Sequence, residues 1–299
     1  MCCFSQPVRH VSRTRIFARP VDPVRQLLVY SMRLAADADL AMVLPIPVPP
    51  SSPEDAVRFI DMSSAPKFFD DLDLLFPEPK HQGFGTLRSP GPAYAPQPLL
   101  VVHEVGDFEA SFVPTRADFA RLDPRFQLPS SVWDALPEYR DWGFCVFKLR
   151  LGAQGTAAPH EAPTPPPGWP GAPAKPGLLD RVLGLFGNKP LEPPPSALRD
   201  FHPMAFEFPR RQLTHLFFPT VHIHDGAVHP TAAFSHTLYA QGASDSPALR
   251  GEWRCSAEPA GALGGASVTW LDRDRPVYRT TMLGDRPNKD VYLEAYASS

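Results

Sequence analysis

Met204-Ala205-Phe206-Glu207-Phe208 sets large apolar side chains at every second position, the period of a β-strand with one buried face. The same near-alternation of β-branched and aromatic residues runs upstream through Arg9 to Ala18 and Gln26 to Arg33. Downstream it returns at Thr214 to Phe218, Thr220 to His224, Ala233 to Ala240, Ser267 to Leu271, Pro276 to Met282 and Val291 to Tyr296. The run Leu40 to Pro50 begins as a buried strand, and its prolines, which donate no ladder hydrogen bond, place its end at a sheet edge or in extended chain. Leu99 to Val105 and Phe108 to Val113, with Gly106-Asp107 between them, read as a hairpin, and Gly143 to Leu151 as a further strand.

Helical signals are fewer. Ser52-Pro53-Glu54-Asp55 offers a cap, a first-turn proline and acidic residues ahead of Ala56 to Ile60. Phe68, Phe69, Leu72, Leu75 and Phe76 fall at helical spacing before Pro77. Thr115 to Leu122 and Pro129 to Leu136 read as short helices. Strands outnumber helices and strand–helix–strand units do not alternate, so the expected class is α+β: a mainly antiparallel β-sheet body with a few short helices.

The chain of 299 residues is long enough for one large domain or two small ones. Residues 1–151 read as an α+β part and 201–299 as a β-rich, histidine-containing part packed against it as one body. Between them, 152–200 is a Pro-rich linker or insertion. Within it, residues 178–186 carry Leu179, Val182, Leu183 and Phe186 on one helical face. That helix either folds back on its own domain or docks a protein partner.

A net charge of -3 with scattered basic residues gives no stripe for nucleic acid or an anionic membrane. No apolar run reaches the length of a membrane span, the first residues lack a signal-peptide pattern, and 4 cysteines make no disulfide framework. The expectation is a cytoplasmic protein that uses neither nucleic acid nor membrane.

Six of the 10 histidines lie between His202 and His236. The densest run is Pro219-Thr-Val-His222-Ile-His224-Asp225-Gly226-Ala-Val-His229-Pro230. In a strand, His222 and His224 share a face, and Asp225-Gly226 reads as a hairpin turn that returns His229 close to them. Phe234, His236 and Leu238 share a face of the next strand, making His236 the histidine expected to be buried. Neutral imidazoles are common ligands of Zn, Cu, Fe and Ni. The candidate metal ligands are His222, His224, His229 and His236, with Cys2 and Cys3 as soft ligands that could complete the set. The expected function is transition-metal binding, with Zn, Cu or Fe as candidate ions. Four protein ligands would suggest a structural site, and three plus water a catalytic one. The alternative for the same imidazoles is exposure, or pairing with Asp225 or Glu207 and no metal.

The spacing of His222, His224 and His229 resembles the first metal motif of cupins, over about ten residues. That motif carries glutamate where His229 stands, and the glycine expected six residues before the pair is Leu216 here. The Met-Cys start, followed by Arg13, Arg15 and Arg19, resembles N-terminal-nucleophile hydrolases; that resemblance implies an amide hydrolase with Cys2 as nucleophile, a second hypothesis. A non-catalytic scaffold acting through the 178–186 helix is the third. Met1 to Ser5, Ile16 to Arg19, Arg25 to Ser31, Ala41 to Pro47, Phe108 to Thr115, His202 to Phe208 and Phe217 to Gly226 together resemble a group of uncharacterised bacterial proteins of domain-of-unknown-function type. That likeness implies no activity, cofactor or catalytic residue.

Overall fold

The computed structural model describes residues 2–77, 103–105, 108–128, 130–150, 198–242 and 252–294. Residues 152–197, with the helix expected at 178–186, and residues 78–98, expected to be a loop, lie outside the described residues.

The strands are β1 (Cys2–Phe4), β2 (His10–Pro20), β3 (Arg25–Ala35), β4 (Leu40–Ile46), β5 (Arg58–Ile60), β6 (His103–Val105), β7 (Phe108–Val113) and β8 (Gly143–Leu149). They continue as β9 (Arg199–Asp200), β10 (Met204–Pro209), β11 (His215–Phe218), β12 (His222–Ile223), β13 (Thr231–Ala240), β14 (Arg254–Pro259), β15 (Pro276–Pro287) and β16 (Val291–Glu294). A six-stranded sheet runs β12-β1-β4-β8-β7-β6. An eight-stranded sheet runs β14-β15-β13-β2-β3-β10-β5, with β9 also on β3, and β11 pairs β16. The pairs β1–β12 and β2–β13 are parallel and the others antiparallel. The body is therefore β-rich and mainly antiparallel. Its described α-helices are short: α1 (Phe68–Leu74) and α2 (Ser130–Asp134).

Strands from both ends of the chain interleave. β2, β3 and β5 share a sheet with β10, β13, β14 and β15, so neither sequence half holds that sheet alone. Arg199 and Asp200 already pair with Leu34 and Arg33, so the sheet resumes one residue or so before the expected end of the insertion.

Two faces of the eight-stranded sheet are buried, and period-two alternation sorts its residues between them. Ile16, Ala18, Leu28, Tyr30, Met204, Phe206, Phe208, Leu238 and Ala240 belong to the core shared with the six-stranded sheet. Phe17, Leu27, Val29, Ala205 and Tyr239 belong to a second core, with Phe68, Phe69 and Leu72 of α1. Between the sheets, Phe147 of β8 meets Phe59 at 5.7 Å and Phe206 at 5.9 Å between ring centroids. Gly143 permits the close approach of Phe112, whose ring would lie 2.5 Å from an added Cβ.

Some local expectations fail for non-local reasons. Residues 52–60 form turns and then β5, not a helix, because Arg58 to Ile60 pair with Glu207 to Ala205 and Arg58 forks onto the Glu207 carboxylate. The β-branched run Ser267 to Leu271 is not a strand: Ala266–Trp270 is a 3₁₀ turn, anchored where Ser267 Oγ donates to Asp71 at 2.5 Å. Asp225-Gly226 turns with Gly226 at φ +80°, but no hairpin follows. The chain leaves β12 in one sheet and enters β13 in the other.

Candidate functional site

That crossing creates the site. β12 is an edge strand of the six-stranded sheet, and β13 sits inside the eight-stranded sheet between β15 and β2. His236 has the parity of Leu238 and Ala240, so it faces the space between the sheets. It is 1% exposed. His222 approaches from the other side, and its Nε2 lies 2.7 Å from Nε2 of His236.

The three imidazoles form one cluster. The rings of His222 and His224 stack at 4.8 Å, and those of His222 and His236 meet edge-on at 4.6 Å. Phe234 stacks on His222 at 4.5 Å, and Phe4 of β1 packs on His224 at 5.7 Å. These aromatic neighbours leave His222 and His224 half-buried and His236 buried, and they disfavour charge. Burial pushes His222 down to about 3, with the neighbouring charge of His224 adding to it. Burial likewise pushes His224 down to about 4, against the pull of Asp225, and His236 down to about 2. All three are neutral imidazoles near pH 7. A contact between two neutral Nε2 atoms requires one to carry the proton and the other to offer its lone pair. Two further ring nitrogens, Nε2 of His224 and Nδ1 of His236, are buried with no hydrogen-bond partner among the described residues.

β12 is only two residues long, and side chains complete what its backbone lacks. On one side it pairs with β1, in register Cys2 with His222 and Cys3 with Ile223. Facing outward, the Asn288 amide acts as a substitute strand. Its Oδ1 accepts from His222 N at 2.7 Å and its Nδ2 donates to His222 O at 2.9 Å and His229 O at 3.0 Å. Asp290 accepts from the backbone of Thr220 and Val221 and from the Tyr139 hydroxyl. Val8 N donates to His224 O at 3.2 Å.

The sequence-derived candidates divide as follows. His222, His224 and His236 come together. His229 lies on the exposed turn, where its Nε2 contacts the Asp225 carboxylate at 2.8 Å, so its ring is engaged outside the cluster. Cys2 is the register partner of His222. Cys3 is one residue on, fully buried beside Ile223 on the opposite face of β1 from Phe4, so strand alternation removes its thiol from the histidine face. The structure also adds His10, close enough to His224 to oppose its protonation, and Asn288; neither stood out in the sequence. Their role depends on pairing between distant segments, and no local spacing marks it.

Among the described residues, no group of three or more His, Cys, Asp and Glu side chains is placed so that it could hold a metal ion. No helix among them is long and apolar enough to cross a membrane.

No family model matches the sequence, and no curated protein matches it. Among solved structures, the chain is similar to the crystal structure of baculovirus P35, with TM-score 0.47 and 12% identity over 96% of this chain and 97% of that one. A mutated baculovirus P35 after caspase cleavage gives TM-score 0.42 and 10% identity over 96% and 98%. The caspase-8/P35 complex gives TM-score 0.39 and 11% identity over 95% and 96%. Likeness at this level says nothing about what the chain binds.

Proposed function

We propose that the protein binds a transition-metal ion through His222, His224 and His236, with Cys2 as a candidate fourth ligand. The observation that carries this reading is the convergence of Nε2 of half-buried His222 and Nε2 of buried His236 to 2.7 Å from two different sheets. A tetrahedral ion with metal–nitrogen bonds of about 2.0–2.1 Å holds its ligand nitrogens about 3.3 Å apart. Lengthening that contact by roughly 0.6 Å, with the shared proton moved to Nδ1 of the donating ring, would convert the hydrogen-bonded pair into a chelate. The buried, unpartnered Nε2 of His224 supplies a third lone pair.

An ion there ties the six-stranded sheet to the eight-stranded one. With His236 1% exposed, the reading is of a structural ion rather than one open to substrate. Zinc, or copper if the Cys2 thiolate joins, suits an imidazole-rich set of this kind. Cys3, Cys145 and Cys255 form no disulfide, which goes with a reducing, cytoplasmic setting.

Cobalt(II) titration of the metal-free protein tests the proposal. Saturable visible absorption of a tetrahedral ion, absent from His222→Ala, supports it. Absence of such bands in the wild type, together with equal cobalt uptake by the variant, contradicts it.

A further inference from the structure

β2 and β13 are neighbouring parallel strands, with Ala18 beside Ala240. At their C-terminal ends the chain departs in opposite directions: β2 turns to β3 on one side, and β13 leads to β14 and β15 on the other. Divergent exits from adjacent parallel strands leave a crevice, the same topological cause that opens ligand clefts at the strand ends of α/β sheets. Here the crevice is a cleft of about 380 Å³, lined by Arg19, Pro20, Val21, Asp22, Pro23, Gln241, Gly242, Asp272 and Arg275. That volume fits a small molecule.

The charges around it are unevenly satisfied. Asp22 Oδ1 accepts from Val24 N at 2.8 Å and Arg25 N at 2.7 Å. Asp272 pairs with Arg275 at 3.2 Å. Buried Gln241 spends its amide on the backbone of Asp272 and Arg275. Arg19 is half-buried, and its Nε donates to Trp270 O at 2.8 Å and Nη1 to Pro20 O at 3.0 Å. Both acceptors are neutral carbonyls, and Nη2 has no acceptor among the described residues. Arg19 is thus held rigid by its neighbours, partly removed from water, and lacks a carboxylate at ion-pair distance among the described residues. Burial lowers its pKa, the cost of a charge whose nearest counter-charges, Asp272 and Glu207, act only through space.

We propose that this cleft binds a small organic carboxylate, its charge on the Arg19 guanidinium and its apolar body against Pro20, Val21 and Pro23. A guanidinium fixed by two backbone carbonyls presents its remaining N–H groups to an anion at little ordering cost, and charge-assisted bonds of this type are the stronger ones. The proline and valine walls add area that a bare inorganic anion cannot use. Asp22 and Asp272 also line the cleft and disfavour a second negative charge, so a monoanion is selected.

Protein-observed NMR with benzoate, its neutral isostere benzamide and inorganic phosphate tests this on the full chain. Benzoate should shift resonances of residues 19–23 and 241–242 saturably, with benzamide and phosphate at least about tenfold weaker. Arg19→Gln should weaken benzoate by at least about tenfold. Because Arg19 also anchors Trp270, Val21→Trp provides a second variant; Val21 is 37% exposed and its enlarged side chain fills the cleft without touching those bonds. Loss of benzoate binding in Val21→Trp, with an otherwise unchanged spectrum, supports the site. Equal binding of benzoate and benzamide, phosphate as tight as benzoate, undiminished binding in Val21→Trp, or no benzoate binding at millimolar concentration would each overturn it.

Discussion

His222 and His236 place their Nε2 atoms 2.7 Å apart although one belongs to the edge of the six-stranded sheet and the other to the interior of the eight-stranded sheet. The contact is a bridge between layers, and its chemistry reports on how those layers are held together.

Metal-free protein should lose stability in mild acid. The folded-state pKa values of His222, His224 and His236 lie at about 3, 4 and 2, below the ordinary 6.5. Above about 6.5 neither folded nor unfolded chain protonates them, and their contribution is constant. As pH falls below that value, the unfolded chain takes up protons that the folded chain refuses, so stability declines until pH reaches the folded values. Each imidazole accounts for a loss on the order of 2 kcal/mol by about pH 5. Urea midpoints measured between pH 7 and pH 5 check this, and His236→Leu should flatten the slope. A midpoint independent of pH across that range contradicts it.

His229 and His222 should behave oppositely despite their proximity in sequence. His229→Ala removes an exposed contact with Asp225 and should leave metal affinity within a few-fold of wild type. His222→Ala removes a proposed ligand and should abolish tight binding. Competition against a chromophoric chelator measures both, and equal losses would move the site to the turn.

Asn288 should matter to metal affinity without touching the ion. Its amide replaces a neighbouring strand for His222, so Asn288→Ala should weaken binding about 10–100-fold, as loss of a ligand's supporting bonds does. It should also cost about 1–3 kcal/mol of stability, from backbone groups left unpaired. Comparison with a variant destabilised at least as much elsewhere, such as Phe147→Ala, separates the two effects. Phe147 belongs to the inter-sheet core, far along the sheet from β12, and its truncation should reduce stability by about 3–5 kcal/mol with metal affinity retained.

The two N-terminal cysteines should differ in reactivity. Cys3 is 0% exposed and should resist alkylation in folded protein whether or not a chelator is present. If Cys2 is a ligand, metal should protect it and chelation should expose it. Mass spectrometry of each modified peptide distinguishes them, and equal rates for Cys2 with and without chelator remove it from the ligand set.

Much of the sheet content was legible because alternation is a local property. Phe234, His236 and Leu238 share a face as their spacing requires, and Met204, Phe206 and Phe208 face the inter-sheet core. What no local pattern carries is which sheet a strand joins. Asp225-Gly226 is a turn in either case. β13 pairs with residues 276–287 and with residues 14–18 instead of folding back on β12. For the same reason Ser52 to Asp55 imitates a helix start while Arg58 answers to Glu207, far along the chain. The candidate site was legible as a set of histidines, but not as a bridge between layers. His229 was separated from it by a carboxylate four residues away, and Cys3 by the one-residue parity of a strand whose register is set by β12.

The most direct test of the metal proposal is the metal content per chain of tag-free protein, measured by elemental analysis after exhaustive dialysis, for wild type and for His222→Ala/His236→Ala. The account predicts one transition-metal ion per wild-type chain and almost none in the double variant that remains folded. The same content in both proteins, or none in wild type even after refilling with zinc, copper and iron salts, would contradict it.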